Sequence, residues 1–164
     1  GKVVEWDYTA KQLGRGSFGR VFVGKKKASG EEVAVKVCEL APDVEAEDKE
    51  KALRNLRREV SAIRNSHPNI IEVEGMAADR DGHRLVVVME LMSGGDLGKL
   101  LWRARHDPTL ITAAMRARWQ IQLFSALACI HSRGFVHRDI KPGNLLLSED
   151  RVTLKVGDFG LAVD

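Results

Sequence analysis

Near its C-terminal end the chain reads His137-Arg138-Asp139-Ile140-Lys141-Pro142-Gly143-Asn144, and fourteen positions after the asparagine comes Asp158-Phe159-Gly160. No requirement of folding or stability asks for that pairing. Phosphoryl transfer does. It needs a carboxylate to take a proton from an attacking hydroxyl, a cation for the migrating phosphate, and oxygen ligands for magnesium.

A chain of 164 residues, 30% charged and 44% apolar, is long enough to bury one ordinary core. The net charge of +3 is mild, and Lys25-Lys26-Lys27 is the one basic knot. A knot that short reads as a solvated turn or strand edge, so no nucleic-acid partner is expected. Cys38 and Cys129 show no metal-ligand spacing, and two unpatterned thiols fit a reducing, intracellular compartment, cytoplasmic or nuclear. Apolar runs such as Leu85 to Met89 are too short to span a membrane.

The two halves are patterned differently. Residues 1–92 are strand-rich. Tyr8 to Leu13, Arg20 to Lys25 and Glu32 to Val37 read as three strands of an antiparallel meander, punctuated by a glycine cluster and a Ser29-Gly30 turn. A helix follows from Pro42 to about Asn65, with Leu53, Leu56, Val60 and Ile63 on one face. Ile70 to Gly75 and Leu85 to Met89 read as two more strands joined at Asp81-Gly82. From Ser93 onward the pattern is helical. Asp96 to Ala104 is a short helix, and Ala113 to Ser132 a long one striped by Met115, Trp119, Leu123, Leu127 and Ile130 until Gly134 stops it. Phe135-Val136, Leu145 to Leu147 and Val152 to Val156 read as short strands.

Gly14-Arg15-Gly16-Ser17-Phe18-Gly19-Arg20-Val21 sits between two strands. Glycines let backbone amides approach phosphate oxygens without an intervening Cβ. The same spacing also occurs in dinucleotide-binding turns, but those enter a helix and are followed by an acid; here a strand and a lysine follow. A plain glycine hairpin stays open at this level. Lys36 ends the apolar run Val33-Ala34-Val35, and alternation puts it on one face with Ala34. A buried lysine needs a counter-charge, unless it lies at an edge and reaches water. Glu59, on the apolar stripe of the helix, is the preferred partner over Glu45, Glu47 and Glu50, which precede the stripe. The alternative is that Glu59 sits at the stripe's edge in solvent.

Together these segments resemble the eukaryotic-type protein kinase superfamily, in family order and over essentially the whole chain. The resemblance implies an α+β, protein-kinase-like bilobal fold. Residues 1–92 would form the antiparallel-sheet N-lobe with one regulatory helix and the hinge; residues 93–164 would form the first, partial section of the helical C-lobe. It implies ATP and Mg²⁺ as cofactors and a protein substrate phosphorylated on Ser or Thr, since Lys141 after Asp139 is the serine/threonine form. By resemblance, Asp139 accepts the hydroxyl proton, Lys141 neutralises the γ-phosphate, Lys36 pairs with Glu59 and the phosphates, and Asn144 and Asp158 hold magnesium. Gly14, Arg15, Gly16, Ser17, Phe18, Gly19 and Arg20 cover the phosphates. Leu13, Val21, Ala34 and Leu146 wall the purine. Backbone groups of Glu90 and Met92 bond its edge, Met89 is the gatekeeper, and Asp96 faces the ribose. His137 is read as a packing residue.

The sequence starts at Gly1 without Met and stops four residues after Gly160, before the activation loop and Ala-Pro-Glu of the family. This arrangement leads us to expect a partial catalytic domain whose long helix exposes apolar surface along Trp119, Leu123 and Leu127. The alternative function is a catalytically incompetent ATP-binding or scaffold fragment of a kinase. A small-molecule kinase of similar fold is a third reading, which the Lys-Pro-x-Asn form at 141–144 disfavours.

Overall fold

The structure is a computed structural model and describes residues 6–16, 19–39, 47, 50–51, 54, 58, 60–61, 66–78 and 84–157. The chain divides into two compact units and crosses between them more than once. One takes the described residues up to 61 together with 72–91; the other takes 66–71 and everything described from Met92 onward.

The first unit is a five-stranded antiparallel sheet in the order β1-β2-β3-β5-β4, with β1 Trp6–Gly16, β2 Gly19–Lys26, β3 Glu32–Glu39, β4 Val73–Ala78 and β5 Arg84–Glu90. The central strand is β3. Its residues Val33 to Cys38 are all buried, none more than 8% exposed. A strand paired on both edges and covered on both faces carries a continuous apolar run rather than an alternation. Val33 and Val35 form a core cluster with Val88 on one face, which leaves Ala34 and Lys36 on the other. Between β1 and β2 the register slips so that Gln12 faces Phe22 and Gly14 faces Val21. Leu13 is therefore the extra residue of a bulge, a device that re-aims a side chain.

Glu47, Glu50, Lys51, Arg54, Arg58 and Ser61 are helical and exposed, while Val60 is helical and buried. That spacing is one solvent-facing side of the expected helix. Glu50 is spent on Arg54 at 2.5 Å, one helical turn away. Glu45, Leu53, Leu56, Glu59 and Ile63 lie outside the described residues. At the sheet's far end Lys26 bridges Glu31 and Glu74, both at 2.7 Å.

The second unit contains α1 Leu97–Ala104, α2 Ala113–Ser132 and a three-stranded sheet, β6 Gly95–Asp96, β7 Leu145–Leu147 and β8 Leu154–Val156, in the order β6-β7-β8. Each helix starts where a side-chain oxygen can take an orphan amide: Asp96 accepts from Lys99 N at 2.9 Å and Thr112 from Met115 N at 3.2 Å. Gly134, at φ +79°, ends α2 as expected. Against β8 and the turn before it, α2 is tied by polar bonds. Trp119 Nε1 donates to Arg151 O at 2.9 Å, and Leu154 N donates to Gln122 Oε1 at 2.8 Å.

Several elements differ from the sequence expectation. Ile70 and Ile71 do not belong to β4. The segment 66–71 instead docks on β8 of the second unit: Ile71 N donates to Val156 O at 3.0 Å, and Asn69 Nδ2 donates to Leu154 O at 2.9 Å. Phe135-Val136 is not a strand, and β8 begins at Leu154 rather than Val152. Along the α2 stripe Trp119 and Ile130 are buried and Met115, Leu123 and Leu127 half-buried; the exposed large apolar residues are Ile121 and Phe124, at 70% and 66%. Among the described residues, no helix is long and apolar enough to cross a membrane.

Candidate active site

The run 137–144 is held by its own side chains. His137 is buried, accepts at Nδ1 from Asp139 N at 3.2 Å, and donates from Nε2 to Gly157 O at 2.7 Å. Those two bonds fix a neutral imidazole with its proton on Nε2. The ring thereby ties Asp139 to the residue preceding Asp158. Between them, Arg138 adopts φ +66°, a left-handed conformation uncommon for a residue with a Cβ and one that collects at functional turns.

Asn144, at the end of the 3-10 turn Pro142–Asn144, is buried and donates from Nδ2 to both Asp139 O and Asp139 Oδ2, each at 2.8 Å. Lys141 Nζ lies 2.8 Å from the same carboxylate oxygen. The Lys141 ammonium beside Asp139 holds its carboxyl below the usual aspartate range. Partial burial opposes the shift, and the Asn144 amide adds to it. The result is an ionised carboxylate, 34% exposed, with an ammonium next to it.

An amide that spends its nitrogen on Asp139 presents its oxygen to any cation. Amide and carboxylate oxygens are the hard donors that magnesium takes. Asn144 therefore fits a magnesium ligand by donor chemistry. Asp158, the second expected ligand, lies outside the described residues.

In the first unit, cross-strand register assembles the expected residues on one sheet face. Lys36 stands opposite Val21 on β2, and Ala34 opposite Met89 on β5. Directly opposed residues share a face, so Val21, Ala34, Lys36 and Met89 line the same side. Lys36 is only 2% exposed. Gly19 is required for a packing reason: at φ +151°, a Cβ there would lie 2.1 Å from Val37 O. No atom lies within 4 Å of the Cβ position at Gly14. Steric crowding therefore explains Gly19, and leaves Gly14 open to the expected role of admitting a ligand. Gly16 pairs with Gly19 across the hairpin. Ser17, Phe18, and the side chain of Arg15 are outside the described residues, while Arg20 is exposed and stacks its guanidinium 5.9 Å from the Phe22 ring centre.

The hinge segment is more committed than the sequence suggests. Glu90 N donates to Glu72 O at 3.0 Å, and Glu90 Oε1 accepts from Glu72 N at 2.7 Å. The Glu90 amide proton is thus spent within the sheet. Beyond it, Met92 O accepts from Gly95 N at 3.1 Å. Asp96 stands opposite Leu146 in the β6–β7 ladder, so these two expected residues do meet. Both Asp96 oxygens serve the helix, Oδ1 on Lys99 N and Oδ2 3.3 Å from Lys99 Nζ. Gly94 is more than a linker, because a Cβ there would sit 2.1 Å from Ser148 O.

Sequence reasoning missed three features that shape these sites. The His137 bridge carried a signal, a histidine two residues before the acid. The bulge at Leu13 and the left-handed Arg138 carried none, since both are backbone departures that any residue pattern hides.

Residues 8–164 match the protein kinase domain family, and the chain belongs to it. Similar curated proteins include CBL-interacting protein kinase 16 of Oryza sativa subsp. japonica, 41% identical over 92% of this chain and 31% of the relative. CBL-interacting protein kinase 25 of the same organism is 39% identical over 92% of this chain and 28% of the relative. The probable serine/threonine-protein kinase nek2 of Dictyostelium discoideum is 40% identical over 92% and 35%. The chain thus spans about a third of the length of the relatives it matches.

Proposed function

We propose that this chain is the nucleotide-binding and catalytic-loop portion of a protein serine/threonine kinase that transfers the γ-phosphate of ATP to Ser or Thr hydroxyls of proteins. The observation that carries the reading is the trio Asp139, Lys141 and Asn144, in which one carboxylate is held ionised between an ammonium and an amide.

In this reading the substrate hydroxyl donates its proton to Asp139 as its oxygen bonds to the γ-phosphorus, and the bond from that phosphorus to the β-phosphate oxygen breaks. Asp139 chiefly orients the hydroxyl. A carboxylate with a lowered pKa is a weak base, but transfer late in the reaction asks little of it. Lys141, already beside the Asp139 oxygen, stands where charge on the migrating group develops. Magnesium would shield the phosphate charge, and Asn144 and Asp158 are the residues that would hold it. Lys36, on the face with Val21 and Ala34, would meet the α- and β-phosphates. The relatives' names support the Ser/Thr choice. We place the activity in the cytoplasm or nucleus, where ATP is abundant and thiols stay reduced.

The test is magnesium-dependent phosphate transfer from radiolabelled ATP to a generic Ser/Thr protein substrate, measured on this chain and on the full-length protein. Asp139→Asn should lower kcat by about 10²–10⁴ while nucleotide affinity stays nearly level. Lys36→Met should abolish transfer with the fold retained. Transfer by Lys36→Met equal to wild type would remove Lys36 from the mechanism. Nucleotide binding without transfer by the full-length protein would favour the scaffold reading.

A further inference from the structure

The helix α1 turns an apolar and basic ridge to solvent. Its inner side is anchored by Leu100, which is 5% exposed, while the next two residues, Leu101 and Trp102, are 42% and 63% exposed. Isolated exposed apolar residues are ordinary on any surface, but here two are adjacent on one short helix. Trp102 is also ordered by contact: the His106 ring, one turn on, meets it edge-on at 5.7 Å between centres.

Exposed cationic side chains flank the tryptophan on both sides, Arg103 on one and Arg105 on the other, with His106 above. The helix dipole accounts for a basic residue in the last turn, but not for an exposed indole between two arginines. The acids that bracket the helix are already engaged. Asp96 caps the N-terminus, and Asp107 accepts from Thr109 N at 3.1 Å and from Thr109 Oγ1.

We propose that this ridge of α1 is a docking surface for an acidic segment of a protein partner, with an apolar residue seated on Trp102 and Leu101 and carboxylates on Arg103 and Arg105. A rigid aromatic anchor beside arginines is the composition that dominates protein interfaces, and arginine takes carboxylates in bidentate geometry. An anionic membrane is the weaker fit, because interfacial helices bind through a longer apolar face than one leucine and one tryptophan.

The probe is a fluorescein-labelled peptide of Asp and Glu residues around a central Phe-Leu pair, followed by fluorescence anisotropy on the whole chain. Trp102→Ala and the double change Arg103→Glu with Arg105→Glu should each weaken binding about tenfold or more. Because these side chains are exposed, thermal melting of each variant should stay close to wild type, and that measurement separates lost docking from lost fold. A peptide with the Phe-Leu pair replaced by Ser should bind about tenfold less tightly. Binding unchanged by either substitution overturns the proposal. So does equal binding of the Ser-replaced peptide, which would mean charge attraction alone. Association with phosphatidylserine vesicles, lost in the same variants while no peptide binds, overturns it in favour of a membrane surface. The readout is binding, so it stands apart from whether the chain transfers phosphate.

Discussion

Asp139 is fixed by what surrounds it. Its amide is held by His137, its carbonyl by Asn144, and its carboxylate by both Asn144 and Lys141. Lys141 is the foremost cause of its lowered pKa. Lys141→Met should therefore move the Asp139 titration upward, and Asn144→Ala should move it upward by less. Carbon-13 NMR of the labelled aspartates reads this directly; an unmoved Asp139 in Lys141→Met would show that the ion pair does not set its charge. The sign for stability follows. A carboxylate whose folded pKa is depressed stabilises the fold above its unfolded pKa, at about pH 4, and that contribution disappears as pH falls through the folded value. Acid unfolding of Lys141→Met should accordingly differ less from neutral-pH behaviour than that of wild type. The contribution is small because the carboxylate is partly open to water.

At the scale of elements, glycine and tryptophan positions separate structural need from ligand access. Gly19→Ala forces a Cβ into Val37 O at a φ that residues with side chains avoid, and should cost about 2–4 kcal/mol. Gly14→Ala meets nothing and should leave the unfolding free energy within about 0.5 kcal/mol of wild type. If Gly14→Ala weakens nucleotide binding at unchanged stability, its glycine serves the ligand. On α2, Trp119→Phe removes the donor to Arg151 O and should destabilise by about 1–2 kcal/mol, whereas Ile121→Gln with Phe124→Gln should be near neutral and improve solubility. Chemical denaturation ranks the four variants. The β3 run, the spans of both helices and the stop at Gly134 were legible in sequence, because each is a local pattern with a local cause. Less was legible where tertiary pairing decided. Ile70 to Gly75 reads as one strand in sequence, yet its first residues pair with β8 and its last with β5. The sheet face with Val21, Ala34, Lys36 and Met89 was foreseen in part, since alternation relates Ala34 to Lys36, but only register adds the residues of other strands. The stripe on α2 was read correctly as apolar, but Trp119 is buried where exposure was expected and Leu123 and Leu127 are half-buried, because periodicity identifies a face without saying what covers it.

At the scale of the whole molecule, the segment 66–71 is the part of the N-terminal half that belongs to the second unit. It is held there by a compact set of bonds. Val156 N donates to Asn69 O at 2.8 Å, Asn69 Nδ2 donates to Leu154 O at 2.9 Å, and His67 Nε2 meets Ser125 Oγ of α2 at 2.9 Å. The same strand β8 runs into Gly157, whose carbonyl takes the His137 proton. One short strand therefore carries both the docked segment and the support of the candidate catalytic loop. Asn69→Ala keeps the backbone bonds but leaves Leu154 O without its amide donor, a loss of about 1–2 kcal/mol. If β8 is the shared support, that loss appears as faster amide hydrogen exchange at Val156, Gly157 and Asp139 together. The amides of β3 in the other unit, whose bonds involve none of these residues, should keep their wild-type protection in conditions where opening is local rather than global. Uniform loss of protection across both units would show instead that the chain opens as one cooperative body. Loss confined to 66–71 would show that the docked segment and the catalytic loop are supported separately.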